Sequence, residues 1–124
     1  MGRSVLAVLA GAVVWAVLWV GGTALLRAVF PRLVEPGAPI TATGILVGLI
    51  VYGVILSVLA GWTTGRLAAS EPLRHAAILA VIQLALGILF ETSAWDLTPI
   101  WYHLVFLALI VPATVYGGRL AARR

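Results

Sequence analysis

The chain contains no cysteine, no lysine and no asparagine, and only four acidic residues. Without cysteine there is no disulfide framework, thiol redox chemistry, iron–sulfur cluster or cysteine-ligated zinc. Without asparagine there is no N-glycosylation acceptor. The positive charge is carried by eight arginines, for a formal net charge of +4. They are scattered at segment ends, which reads as a topology signal with some attraction to anionic headgroups, not as a nucleic-acid surface. Arginine without lysine, with abundant Ala, Gly, Val and Leu, points to a high-GC bacterial source.

What remains is overwhelmingly apolar. Of 124 residues, 63% are hydrophobic and 10% are charged, whereas soluble domains carry about 25% charged residues. This excludes a water-soluble monomer and a disordered chain. A spanning helix needs about 20 apolar residues, and four windows qualify: about 5–26, 40–64, 73–90 and 100–118. Proline and glycine punctuate the connections: Pro31, Pro36, Gly37 and Pro39 in the first, Ala69-Ser70-Glu71-Pro72 in the second, and Thr92–Pro99 in the third. Ser70 reads as an N-cap with Pro72 in the first helical turn. Short connections make neighbouring helices antiparallel, so the expected fold is all-α: a single transmembrane domain over residues 1–124, built as a four-helix bundle.

Arginine counts set the expected orientation. Arg3, Arg66, Arg74, Arg119, Arg123 and Arg124 fall on one side, and only Arg27 and Arg32 on the other, beside Glu35, Glu91 and Asp96. Both termini are therefore expected in the cytoplasm of a bacterial inner membrane. Trp95, Trp101 and Tyr102 then mark the outer interface, and Trp62 and Tyr116 the inner one. A competing reading makes the first span a secretory signal cleaved near Gly22-Thr23-Ala24. Its apolar stretch is long for that role, and Trp15 and Trp19 are bulky for one.

Gly65-Arg66-Leu67-Ala68-Ala69 recurs as Gly118-Arg119-Leu120-Ala121-Ala122, and Pro39-Ile40 recurs as Pro99-Ile100. The halves read as parallel repeats of one helical hairpin, or as an Ala-rich, Arg-terminated helix end that recurs by composition alone. Small residues drive packing in membranes because apolar side chains gain nothing by leaving lipid. Gly53, Ser57, Gly61 and Gly65 form one such stripe on the second span. Gly44 and Gly48 form a second pair, and Gly44 and Gly53 point to opposite faces. The third span carries Ala76, Ala80, Gln83, Gly87 and Glu91 on one seam, with Gln83 the one strongly polar side chain near the middle of a span. An interhelical hydrogen bond is the plain role for Gln83, and the lining of a pathway is the alternative.

Glu91 falls at the outer edge of the third span, level with Arg27, and a Glu91–Arg27 ion pair is the structural expectation. Asp96 and His103 share that side and with Glu91 could form a proton-relay or divalent-metal cluster, although the spacing matches no metal motif. Trp15 and Trp19 share a face of the first span and are expected to pack on the glycines of the second. Pro112 is expected to kink the fourth span. No nucleophile–base pair, phosphate-binding loop or paired carboxylates appear. His75 and His103 lie on opposite sides of the membrane. Neither enzymatic activity nor a cofactor is expected.

Val58-Leu59-Ala60-Gly61-Trp62 running into Gly65-Arg66-Leu67-Ala68 resembles a group of small four-span bacterial inner-membrane proteins with no assigned activity. So do Leu73-Arg74-His75-Ala76, the segment Pro99-Ile100-Trp101-Tyr102-His103-Leu104, and Gly117-Gly118-Arg119-Leu120. The resemblance implies a bundle and nothing further. The functional expectation is a structural or accessory membrane subunit that associates through Gly/Ala faces with its own copies or a larger membrane protein. The alternative is a homodimeric transporter or channel with Gln83, Glu91 and His103 along the path. A binder of lipophilic ligands, using Trp15, Trp19 and the glycine grooves, is a third reading. Nucleic acid is not an expected partner.

Overall fold

The computed structural model describes residues 2–31, 39–40, 42–93 and 95–123. Four long helices, α1 (Gly2–Val29), α2 (Thr43–Leu67), α3 (Pro72–Ser93) and α4 (Ile100–Ala122), account for most of them. A single 3-10 turn, Trp95–Leu97, joins α3 to α4. The described residues contain no strand. Each of the four helices is long and apolar enough to cross a membrane, where a helix satisfies its own backbone polar groups. The chain is a small membrane protein folded as an all-α four-helix bundle. Arg32, Glu35 and Arg124, three of the charges in the arginine count, lie outside the described residues.

Contacts fix the directions. Thr64 Oγ1 of α2 donates to the Ala7 carbonyl of α1 (2.8 Å), while Tyr52, near the other end of α2, reaches the Leu18 carbonyl. These two helices are therefore antiparallel. Gly118 meets Ala76 and Gly87 meets Ile110, so α3 and α4 are antiparallel as well. One end of the bundle gathers both termini and the α2–α3 connection (the terminal end). The other gathers the α1–α2 and α3–α4 connections (the connection end).

The two hairpins meet along α2 and α4, which run parallel in register. Gly53 faces Phe106, Gly61 faces the Thr114 backbone, and Gly65 faces Gly118 and Ala121. In the first two pairs, and for Gly65 with Gly118, the partners stand 53 positions apart, the spacing of the repeated Gly-Arg-Leu-Ala-Ala segment. The contacts are close because these residues lack side chains: a Cβ on Gly61 would collide with the Thr114 carbonyl, and one on Gly117 with the Val58 carbonyl. The helix starts do not share the register. Pro99-Ile100 begins α4, whereas α2 begins at Thr43, and the Ile40 N–H, outside the helix, donates to the Leu97 carbonyl (2.7 Å).

The N-cap expectation at Ser70 is corrected. Glu71 directly precedes Pro72, adopts φ 51°, and its carbonyl accepts the first helical bond from His75 N–H (3.2 Å). At the same corner His75 is buried, with Nδ1 2.9 Å from the Glu71 carbonyl and Nε2 2.8 Å from Ser4 Oγ. The carbonyl can only accept, so Nδ1 carries a proton and the Ser4 hydroxyl serves Nε2. Arg3 Nε donates to the Leu67 carbonyl (3.0 Å) at the C-terminal end of α2, where a cation is favoured. These bonds tie α1 to the α2–α3 corner.

Candidate functional site

Four features carry polar groups or open space: a polar tie at mid-bundle, a polar cap at the connection end, a groove between α1 and α2, and a hollow on the outer face of α4. The α3 seam faces α4 along its length. Ala76 meets Gly118, Gln83 bonds Thr114, Gly87 touches Ile110 and Leu107, and Glu91 reaches His103.

At mid-bundle Gln83 is fully buried, and its Oε1 accepts a hydrogen bond from the Thr114 hydroxyl. Its Nε2, Ser57 Oγ and Trp15 Nε1 are buried without a hydrogen-bond partner among the described residues. The tie joins α3 to α4 at Thr114, the residue whose carbonyl makes the tightest α2–α4 approach, against Gly61. Gln83 lines neither of the two sizeable open cavities described below.

The cap is built on His103, whose side chain is 1% exposed. Trp95 stacks over the imidazole at 4.1 Å with an interplanar angle of 8°, and Tyr102 meets it edge-on at 6.1 Å. Nε2 lies 2.8 Å from the Trp95 carbonyl and 3.1 Å from Thr98 Oγ1, and Nδ1 contacts Glu91 Oε2. The Trp95 carbonyl is an acceptor, so Nε2–H donates to it. A proton between Nδ1 and Glu91 then completes the pair, which fastens the end of α3 to the start of α4 and pulls the 3-10 turn over the joint.

Two expectations for this end are corrected. Glu91 pairs with His103, and no Arg27–Glu91 ion pair occurs among the described residues. The contacts of α1 with α3 are at the terminal end, through Ser4–His75 and Gly11–Leu79. Farther along, α1 turns its aromatic face to α2 and α4, and Arg27 is exposed. Asp96 does not join His103 either. Trp95 occupies the space over the imidazole, and Asp96 is exposed. No group of three or more His, Cys, Asp or Glu among the described residues is placed to hold a metal ion.

The groove measures about 440 Å³ and is lined by Gly22, Leu25, Leu26, Gly44, Gly48 and Tyr52 among others, all apolar apart from the Tyr52 phenol. Among the described residues, Gly44 and Gly48 meet nothing within 4 Å of where a Cβ would stand. Packing inside the chain therefore uses the Gly53–Gly65 stripe, and the Gly44/Gly48 pair is left open. Trp19 also departs from expectation. Trp19 stacks on Tyr52 (6.1 Å) and lies 5.2 Å from Phe106, while Trp15 is buried in the apolar core. It is α1's own glycines that admit α2: Gly11 sits against Thr64 and Ala60, and Gly22 against the Tyr52 ring.

Comparison with known proteins finds no matching family model, no matching curated protein and no matching solved structure. The site is therefore interpreted from its own geometry. The residues that the sequence pattern did not single out are Thr64, Thr114, Gly11 and Gly117. Thr114 had a signal, since it stands 53 positions after Gly61, as Gly118 does after Gly65. Thr64 and Gly11 had none, because their contacts cross between helices 53 residues apart in the chain.

Proposed function

We propose that the chain is a non-catalytic structural or accessory subunit of a bacterial inner membrane that binds a transmembrane helix of a larger membrane protein in the α1/α2 groove. The observation that carries this reading is the contrast among the glycines of α2. Gly53, Gly61 and Gly65 are filled by α4, whereas Gly44 and Gly48, spaced as a small-xxx-small pair, meet no neighbour among the described residues and lie beside an apolar groove. Membrane helices approach one another through such pairs. The full burial of Gln83 and its bond to Thr114 favour a solid bundle over a conducting path. Both termini are proposed to be cytoplasmic: Arg3, Arg66, Arg74, Arg119 and Arg123 gather at the terminal end, against Arg27 among the described residues at the other.

Site-specific photocrosslinking in the native membrane tests the reading. A crosslinker replacing Leu25, in the groove wall, is expected to capture one discrete protein heavier than a second copy of the chain. One replacing Leu104, exposed on α4, is expected to capture none. Equal capture from both positions, or a product with the mass of two chains only, defeats it.

A further inference from the structure

A second hollow, of about 360 Å³, lies on the exposed side of α4 at the terminal end, lined by Pro112, Val115, Tyr116, Arg119 and Arg123. The spacings of three, one and three place Pro112, Val115, Tyr116 and Arg119 on one helix face, and Arg123, the C-cap, closes the hollow beyond them. That face is turned away from the bundle, whose contacts use Ala113, Thr114, Gly117, Gly118 and Ala121. Along it the chemistry changes with depth. Pro112 and Val115 are apolar and lie in the membrane-crossing part of the helix, and Tyr116 is half exposed. Arg119 and Arg123 stand one turn apart at the helix end, about 10 to 16 Å beyond Pro112 along the axis.

Among the described residues, the positive charge at this end exceeds the negative. Glu71 is the one acidic residue described there, and its carboxylate is taken by Arg74 (3.3 Å). The half-charge at the C-terminus of α4 offsets only part of one guanidinium. Two guanidiniums over an apolar hollow match an anionic headgroup on an acyl chain. Guanidinium forks suit phosphate oxygens, and the tail continues along a surface that already faces lipid. The α1/α2 groove differs in that no arginine among the described residues lines it.

We propose that the α4 hollow is a binding site for one anionic phospholipid, its phosphate held between Arg119 and Arg123 and its first acyl methylenes lying against Val115 and Pro112. The proposal does not depend on the accessory role, since it concerns the opposite type of surface on a different helix.

Native mass spectrometry of the full chain, released from bilayers of phosphatidylglycerol and phosphatidylcholine, supplies the test. The wild type is expected to retain one phosphatidylglycerol in preference to phosphatidylcholine. R119Q/R123Q is expected to weaken that retention by roughly tenfold or more, at the usual contribution of a basic residue beside an anionic surface. R66Q, at the same end on α2 and outside the hollow, is expected to keep it. Val115→Trp, which fills the hollow and leaves both charges, is expected to lose it, with circular dichroism confirming that each variant is folded. Three results overturn the proposal: undiminished retention in R119Q/R123Q, an equal loss in R66Q, or an unaffected Val115→Trp. Free glycerol 3-phosphate bound as tightly as the lipid would also overturn it, since the site would then read phosphate alone.

Discussion

A glutamine in the middle of a membrane helix brings four hydrogen-bonding positions, and Thr114 fills one of them at the Gln83 carbonyl. Such interhelical bonds contribute about 0.6 kcal/mol on average and up to about 1.7. Removing one partner strands the other, so Thr114→Val is expected to destabilise the bundle by about 1 kcal/mol in reversible unfolding from mixed micelles. Adding Gln83→Leu should then cost less than the sum of the two single changes; strict additivity would show that the two side chains do not interact. The cap allows a similar comparison. Glu91→Ala leaves buried His103 Nδ1 without its carboxylate and is expected to cost about 1–3 kcal/mol. Arg27→Ala, at an exposed position, should stay within about 0.5 kcal/mol. A larger loss for Arg27→Ala would restore the ion pair that sequence position alone suggested. Position along a span places Glu91 at the right depth, but depth does not choose a partner. Arg27 and His103 stand at comparable levels, and the choice depends on which helices α1 touches at each end.

At the scale of the helix, four apolar runs separated by proline and glycine are legible in the sequence because the bilayer imposes both length and polarity. The observed helices cover the four expected windows apart from residues 40–42 and extend past most of their ends. The exceptional end is the start of α2, where Ile40 makes a tertiary bond that no local pattern encodes. The Gly53–Gly65 stripe was equally legible as a packing surface, although which neighbour fills it was not. Every helix offers small residues, and only the three-dimensional register assigns Gly61 to Thr114 while leaving Gly48 to open space. This difference has a measurable consequence. Gly61→Ala forces a methyl group into the Thr114 carbonyl and is expected to cost about 1–3 kcal/mol, the usual range for overpacking. Gly48→Ala meets no atom and is expected to change stability by no more than about 1 kcal/mol, in the stabilising direction that helix propensity favours. Equal costs at the two positions would mean that the parallel α2–α4 seam is wrongly placed.

For the whole molecule, the α2–α4 pair forms the spine and α1 and α3 are its flanks. Thr64 and Gly11 hold α1 to the spine at the terminal end, and the Ser4–His75 bond holds it to α3. At the connection end α1 stands off far enough to leave the Gly44/Gly48 groove, and this asymmetry is what the proposed function uses. The same asymmetry separates the two open surfaces by chemistry: a glycine-floored groove whose described lining carries no charge, for a helix, and an arginine-rimmed hollow for a lipid. Neither was visible as a cavity in the sequence, because each depends on how far a helix stands from its neighbour or how its face is left uncovered. The most direct measurement is native mass spectrometry of the protein released from its own membranes without overexpression, beside Gly48→Leu prepared in the same way. The wild-type chain is expected to leave the membrane joined to a larger protein, and Gly48→Leu to leave it alone while unfolding at no lower a temperature. A wild-type chain released as a monomer, or as a homodimer that survives Gly48→Leu, would contradict the proposed role.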